Sequence, residues 1–194
     1  MATVHRLAEA RNISMPVKAL WLAALTLSST LSACATMQNG SAAAQPLADE
    51  VAVSTTLDTL YRAFCFDANA EPDWDTQRGL FAQGAAFAAP FGSGDTPRAV
   101  NAEQFITDFR KHVQTSPRGE TGYHESIVHA QIQVFGTIAH AFVVFDGFVP
   151  GDAPDARGVD SIQLVRGPEG WLVASFTTQY ESADTPLPKS FLPH

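Results

Sequence analysis

With 194 residues, 45% of them hydrophobic and 16% charged, the chain has material for one globular domain and hardly for two. Twelve Lys and Arg against twenty Asp and Glu give a net charge of −8, which argues against nucleic acid as a partner. Two cysteines cannot build a disulfide framework and no Cys/His spacing fits a structural zinc site, so neither metal nor cofactor is expected.

The N-terminal region reads as an address. Residues 18–34 hold one lysine, then about a dozen apolar and small residues, then a break, which is the layout of a secretory signal. The stretch is too short for a membrane span. Leu31-Ser32-Ala33-Cys34 resembles the bacterial lipobox, whose Cys is diacylated and becomes the first mature residue. An ordinary secretory signal, or a buried apolar helix with a chance Cys, is the alternative. Met15-Pro16-Val17-Lys18 is a typical short n-region, so Met1 and Met15 both stand as starts.

On the lipoprotein reading, residues 1–33 are the signal peptide and 34–48 are the lipidated Cys34 with a flexible tether, spanning about 20 Å. The folded domain is expected over 49–182 and a Pro-rich tail over 183–194. Processing removes Arg6, Arg11, Lys18 and Glu9 and leaves a chain more acidic still. Ala35 follows the Cys, and the inner-membrane retention signal resembles an Asp at that position, so the periplasmic face of the outer membrane is the expected location. Each buried acyl methylene contributes about 0.8 kcal/mol, so two or three chains anchor firmly. Only Cys65 then remains, and no intrachain disulfide can form.

Along the domain, Val53, Leu57, Leu60, Tyr61 and Phe64 recur at helical spacing and predict a first helix over Glu50 to Phe66. Pro72 suits the first turn of a second, shorter helix carrying Trp74 toward Leu80 and Phe81. A short Ala-rich strand follows from Phe81 to Pro90. Asn101 and Gln104 form a capping-box pattern ahead of Phe105, Ile106, Phe109 and Val113, a third helix ending near Pro117. After Gly122 the period changes to two. Tyr123 to Phe135 and Ile138 to Val149 flank the tight turn Gly136-Thr137, and Val159 to Arg166 and Trp171 to Tyr180 flank Gly167-Pro168-Glu169-Gly170. Helices first and hairpins afterwards make an α+β domain, with the helices covering one sheet face.

Pairing Phe135 with Ile138 sorts the first hairpin into two faces. Ser126, Val128, Ala130, Ile132 and Val134 fall with Ala139, Ala141, Val143, Phe145 and Gly147 on an apolar face. Glu125, Ile127, His129, Gln131, Gln133, His140, Phe142, Val144, Asp146 and Phe148 make a mixed opposite face, of the kind found at dimer interfaces.

This order of elements resembles the nuclear transport factor 2-like (NTF2-like) superfamily, including SnoaL-like cyclases and ketosteroid isomerases. Leu80-Phe81-Ala82, then Pro90-Phe91-Gly92-Ser93 and Pro97-Arg98, are similar to the isomerase stretch in which a strand delivers the general base, and Trp171-Leu172-Val173 looks like the last strand. The resemblance covers about residues 50–182 and implies a cone of three helices on a curved, mainly antiparallel sheet around a pocket. It also implies an Asp immediately before that Pro, where this chain has Ala89, and so removes the expected base. Tyr61 and Asp160 fall where the isomerases place an oxyanion-hole pair. The second is a carboxylic acid kept neutral by an apolar site, for which ketosteroid isomerase is a standard illustration.

Three functions compete on these residues. In the first, Val128, Ile132, Val143, Phe145 and Ile162 line an apolar cone in which Tyr61 and Asp160 orient one polar atom of a small, largely apolar ligand. In the second, an isomerase, cyclase or dehydratase uses Asp160 or His124 for acid–base work. In the third, a non-catalytic module pairs with itself or another envelope protein through the mixed face, with His129 and His140 serving the interface. Each residue also has a structural role to fill: Tyr61 and Cys65 suit a core, His124 a rim hydrogen bond, and Arg98, Gln179 and Glu181 a mouth.

Overall fold

The computed structural model describes residues 41–88 and 98–192. The signal region, Cys34 and Ala89 to Pro97 lie outside the described residues, so the lipidation site and the vacated base position do too. Helices α1 (Ser41–Phe64), α2 (Trp74–Leu80), α3 (Ala102–Thr115) and the single turn α4 (Arg118–Thr121) pack on a seven-stranded sheet. Its strands are β1 (Phe66–Asp67), β2 (Phe81–Ala88), β3 (Val100–Asn101), β4 (Gly122–Phe135), β5 (Ile138–Phe148), β6 (Ala156–Arg166) and β7 (Trp171–Tyr180), in the order β1-β4-β5-β6-β7-β2-β3. All neighbours are antiparallel except β2 and β7.

Local chemistry accounts for the helices. The whole predicted stripe of α1, Val53, Leu57, Leu60, Tyr61 and Phe64, is buried, as are Phe105, Ile106, Phe109 and Val113 of α3. Asp73 caps α2 by accepting from Thr76 N at 3.0 Å, and Asn101 caps α3 by accepting from Gln104 N at 2.9 Å. The reciprocal half of the capping box is absent, because the Gln104 amide donates to Asp108 instead (2.8 Å). Helix α1 starts at Ser41, earlier than the expected boundary near Asp49, so part of the anticipated tether is helical. Asp49 itself pairs with Arg166, whose guanidinium stacks on Trp171 with its carbon 4.6 Å from the ring centre.

The sheet departs from the expected register at one residue, and the departure decides the site. Phe135 pairs with Ile138 and the pairing runs in step to His129 opposite Val144, but the next pair is Ile127 with Phe145. Val128 is therefore a β-bulge, two residues opposing one, and every side chain before it changes face. Tyr123 and Ile127 turn inward and pack on the core beside Ala130, Ile132 and Val134. Val128 turns outward and is 38% exposed. Val128 is thus not a pocket residue, contrary to the strict alternation, and His124, which the same alternation puts at the outer end of the apolar face, leaves that face as well. His124 Nε2 lies 3.1 Å from Asp67 Oδ1 and its ring packs edge-on against Phe148.

The outer face keeps the mixed character expected of it. Asp146 is clamped there by two hydrogen bonds from Arg157, at 2.6 and 2.9 Å, and His140 Nε2 lies 3.2 Å from Ser161 Oγ. The Pro-rich tail returns across this face. A 3-10 turn at Lys189–Phe191 puts the Phe191 ring edge-on to Phe142 (5.1 Å), and Gln131 Nε2 donates to the Ser190 carbonyl (2.6 Å).

Candidate functional site

Helix α1 and strand β6 bring together Tyr61 and Asp160, the two residues that the resemblance pairs. The Tyr61 hydroxyl donates to Asp160 Oδ2 in the interior, with both residues no more than 2% exposed. The second carboxyl oxygen, Oδ1, is buried and has no hydrogen-bond partner. A buried oxygen in that state costs on the order of 1–3 kcal/mol unless it carries a proton to give or receives one from something else.

Beside this pair is a hollow that the fold leaves between α1, α3 and the sheet. Five rings make its apolar walls, Phe64, Phe105, Phe109, Phe145 and Phe176, while Glu125, Asp160, Thr178 and Tyr180 make its polar side. The centre of a water-sized sphere can reach only about 20 Å³ of the hollow. That is room for one water-sized group. Glu125, Thr178 and Tyr180 are half-buried and form the rim. Of the residues expected to line a cone, Phe145 and Asp160 border the hollow. Val143 and Ile162 are fully buried core residues that do not border it, and Ile132 packs on the core from further along β4.

Glu125 is the functional residue that strict alternation hides. The bulge turns it inward, where Tyr123 donates to its Oε1 at 2.9 Å and leaves Oε2 without a protein donor. Two carboxyls thus share one hollow, each with one oxygen held by a tyrosine and one open. Glycines make this arrangement possible. A β-carbon on Gly147 would collide with the Tyr123 hydroxyl, and one on Gly158 would lie 2.7 Å from the Phe145 ring. Cys65 fastens the site from behind: its Sγ donates to the Tyr61 carbonyl (3.3 Å) and accepts from Glu125 N (3.3 Å).

Burial sets the protonation of this cluster. Loss of hydration raises the Asp160 carboxyl to about 7, against the opposing pull of the Tyr61 and Thr178 hydroxyls. Loss of hydration, reinforced by the charge of Asp160, raises Glu125 to about 8. Tyr61, Tyr123 and Tyr180 are all pushed upward by burial first and by the neighbouring carboxyls second, so they stay neutral donors. The remaining sequence candidates sit elsewhere. Arg98 pairs with Asp108 (3.5 Å), Gln179 is exposed, and Glu181 accepts from Leu187 N (2.9 Å). Among the described residues no group of three or more His, Cys, Asp or Glu side chains could hold a metal ion, and no helix is long and apolar enough to cross a membrane.

The architecture is similar to solved structures at low sequence identity. A protein of unknown function with a cystatin-like fold from Nostoc punctiforme superposes with a TM-score of 0.56 at 12% identity, covering 70% of this chain and 93% of that one. The domain shares the fold of that protein. A putative aromatic ring hydroxylase from Novosphingobium aromaticivorans gives 0.51 at 19% identity, over 70% of this chain and 90% of that one. An NTF2-like protein of unknown function from Shewanella baltica gives 0.48 at 15%, over 71% and 97%. No family model matches the chain, and no curated protein matches it. The domain has the helices and mainly antiparallel sheet expected of it, but its hollow is much tighter than an open cone of a few hundred Å³.

Proposed function

We propose that this domain is NTF2-like, binds a small, largely apolar ligand and fixes one compact polar group of it at the open oxygens of Asp160 and Glu125. The observation that carries the reading is Asp160 Oδ1, buried, without a partner and bordering a hollow. A purely structural interior would pair that oxygen or replace it with an apolar side chain. The five phenylalanines supply apolar contact, and the room for one water-sized group limits what enters to a head group, with the rest of the ligand at the rim. Native mass spectrometry of the purified domain after incubation with an envelope extract tests this. A one-to-one adduct on the wild type that Thr178→Phe abolishes is expected; no adduct on either protein contradicts it.

An enzymatic reading is favoured by the same two carboxyls, both raised by burial from the ordinary carboxylate range to near neutrality, where acid–base groups work. In it Glu125 and Asp160 move protons, not His124, which is outside the hollow. Loss of an identified turnover in Glu125→Gln that persists at saturating ligand would separate it from simple binding. We also propose that Cys34 is lipidated and tethers the domain to the periplasmic face of the outer membrane, a reading supported by Leu31–Cys34. Metabolic labelling with a fatty acid, lost in Cys34→Ser, tests the anchor. Pairing of two copies is a further proposal, supported by the mixed outer face of β4 and β5.

A further inference from the structure

We infer that the polar end of the hollow is a site for an organic cation: a protonated primary amine whose N–H groups donate to Asp160 Oδ1 and Glu125 Oε2. The inference rests on reading the hollow as a binding site and names the ligand class. Four observations lead to it. No Lys, Arg or His borders the hollow, while two carboxyls do. Arg118, which stacks on the Tyr123 ring, spends its guanidinium on Asp155, with two hydrogen bonds of 2.8 Å. Each carboxyl already has a tyrosine hydroxyl on one oxygen, and that bond favours the ionised form, so what the site lacks is a donor with positive charge. The space available is that of a single water-sized group, which an ammonium head matches, and aromatic faces attract cations.

The charge balance fixes the behaviour. The titratable groups around the two carboxyls are Tyr61 from α1, which bonds Asp160, Tyr123 from β4, which bonds Glu125, and Tyr180 from β7, with Cys65 behind Glu125 and Arg118 beyond Tyr123. The tyrosines and the cysteine stay neutral near neutral pH, since burial raises all of them. In the empty site both carboxyls hold their protons below about pH 7. An entering ammonium displaces one of these protons to solvent, leaving one carboxylate, one carboxylic acid and one cation. Binding is then coupled to release of one proton, so affinity rises up to about tenfold per pH unit until the carboxyl ionises unaided. A neutral ligand of the same shape gains nothing from that release.

Calorimetric titration of the full chain with benzylammonium, and with benzyl alcohol as its neutral isostere, tests the assignment between about pH 5.5 and 7.5. The expected result is a benzylammonium affinity that rises at least fivefold over that range, and at its upper end is at least tenfold above that of the alcohol. Glu125→Gln and Asp160→Asn should each lower amine affinity at least tenfold and move alcohol affinity less than threefold, with folding checked by circular dichroism. Alcohol binding as tightly as the amine, or an amine affinity flat with pH, overturns the inference and leaves the binding reading intact. Amine affinity unchanged in both folded variants places the cation on the acidic surface and overturns it as well. If neither compound binds the wild type, the inference and the binding reading fall together.

Discussion

Tyr61 and Asp160 are 99 residues apart in sequence and share a hydrogen bond in the interior, where helix α1 meets strand β6. The bond runs from a hydroxyl to a carboxyl, so its value depends on the charge of the acceptor. Tyr61→Phe removes it and leaves Asp160 Oδ2 unpaired. We expect a loss of about 1–3 kcal/mol that is larger near pH 8 than near pH 5, because a donor to a carboxylate is worth more than a donor to an acid. Urea denaturation at the two pH values measures the difference.

Both carboxyls are raised above their ordinary values, which fixes the sign of a pH effect. Between about pH 4 and the folded-state values of about 7 and 8, the folded protein holds protons that the unfolded chain has released. Their stabilising contribution is complete below about pH 4 and is lost as the pH rises through 7 to 8. Each group contributes a slope of up to about 1.4 kcal/mol per pH unit within its window. Glu125→Gln and Asp160→Asn should each flatten the fall in stability, as measured by midpoints of chemical denaturation across that range.

The bulge makes a prediction about two aliphatic residues that the sequence alone treats alike. Val128 is 38% exposed and Ile162 is wholly buried. Val128→Ala should cost less than about 1 kcal/mol and Ile162→Ala about 2–5 kcal/mol. Deleting Val128 altogether removes the extra residue while Ile127 stays opposite Phe145 and His129 opposite Val144, so Tyr123 and Glu125 stay inward and the pH dependence assigned to Glu125 should survive the deletion. Thermal and chemical denaturation of the three variants decide among these outcomes.

What the sequence reveals here follows from which signals are local. Helical stripes, the Asn101 cap, the Gly136-Thr137 turn and the Phe135–Ile138 pairing each depend on a few adjacent residues, and each is found where its residues predict it. The Tyr61 and Asp160 pair comes from the resemblance, and the fold brings the two together. Glu125 escapes because a bulge has no local signature at Val128: the segment alternates equally well with or without it, and only packing of Tyr123 against Gly147 and Ile127 against the core selects the bulged register. His124 and Val128 are misassigned for that one reason. The tightness of the hollow is likewise illegible, since it is set by how five phenylalanines from two helices and two strands interlock.

The tail offers a test of the outer face. Phe191 and Ser190 cover Phe142 and Gln131, a patch on the face expected to pair two copies. Truncation after Ser182 removes no core residue and should change stability by less than about 1 kcal/mol. It uncovers Phe142, so self-association should strengthen. Sedimentation velocity of the full and truncated chains over a concentration series reads this out, and an unchanged distribution would show that the face does not pair.

The account turns on two carboxyls that border one aromatic hollow. Carbon-detected NMR titration of the side-chain carboxyl signals of Glu125 and Asp160 measures that environment directly. Midpoints near 8 and 7 are the expected result. Both groups titrating near 4, as free carboxyls do in water, would contradict it.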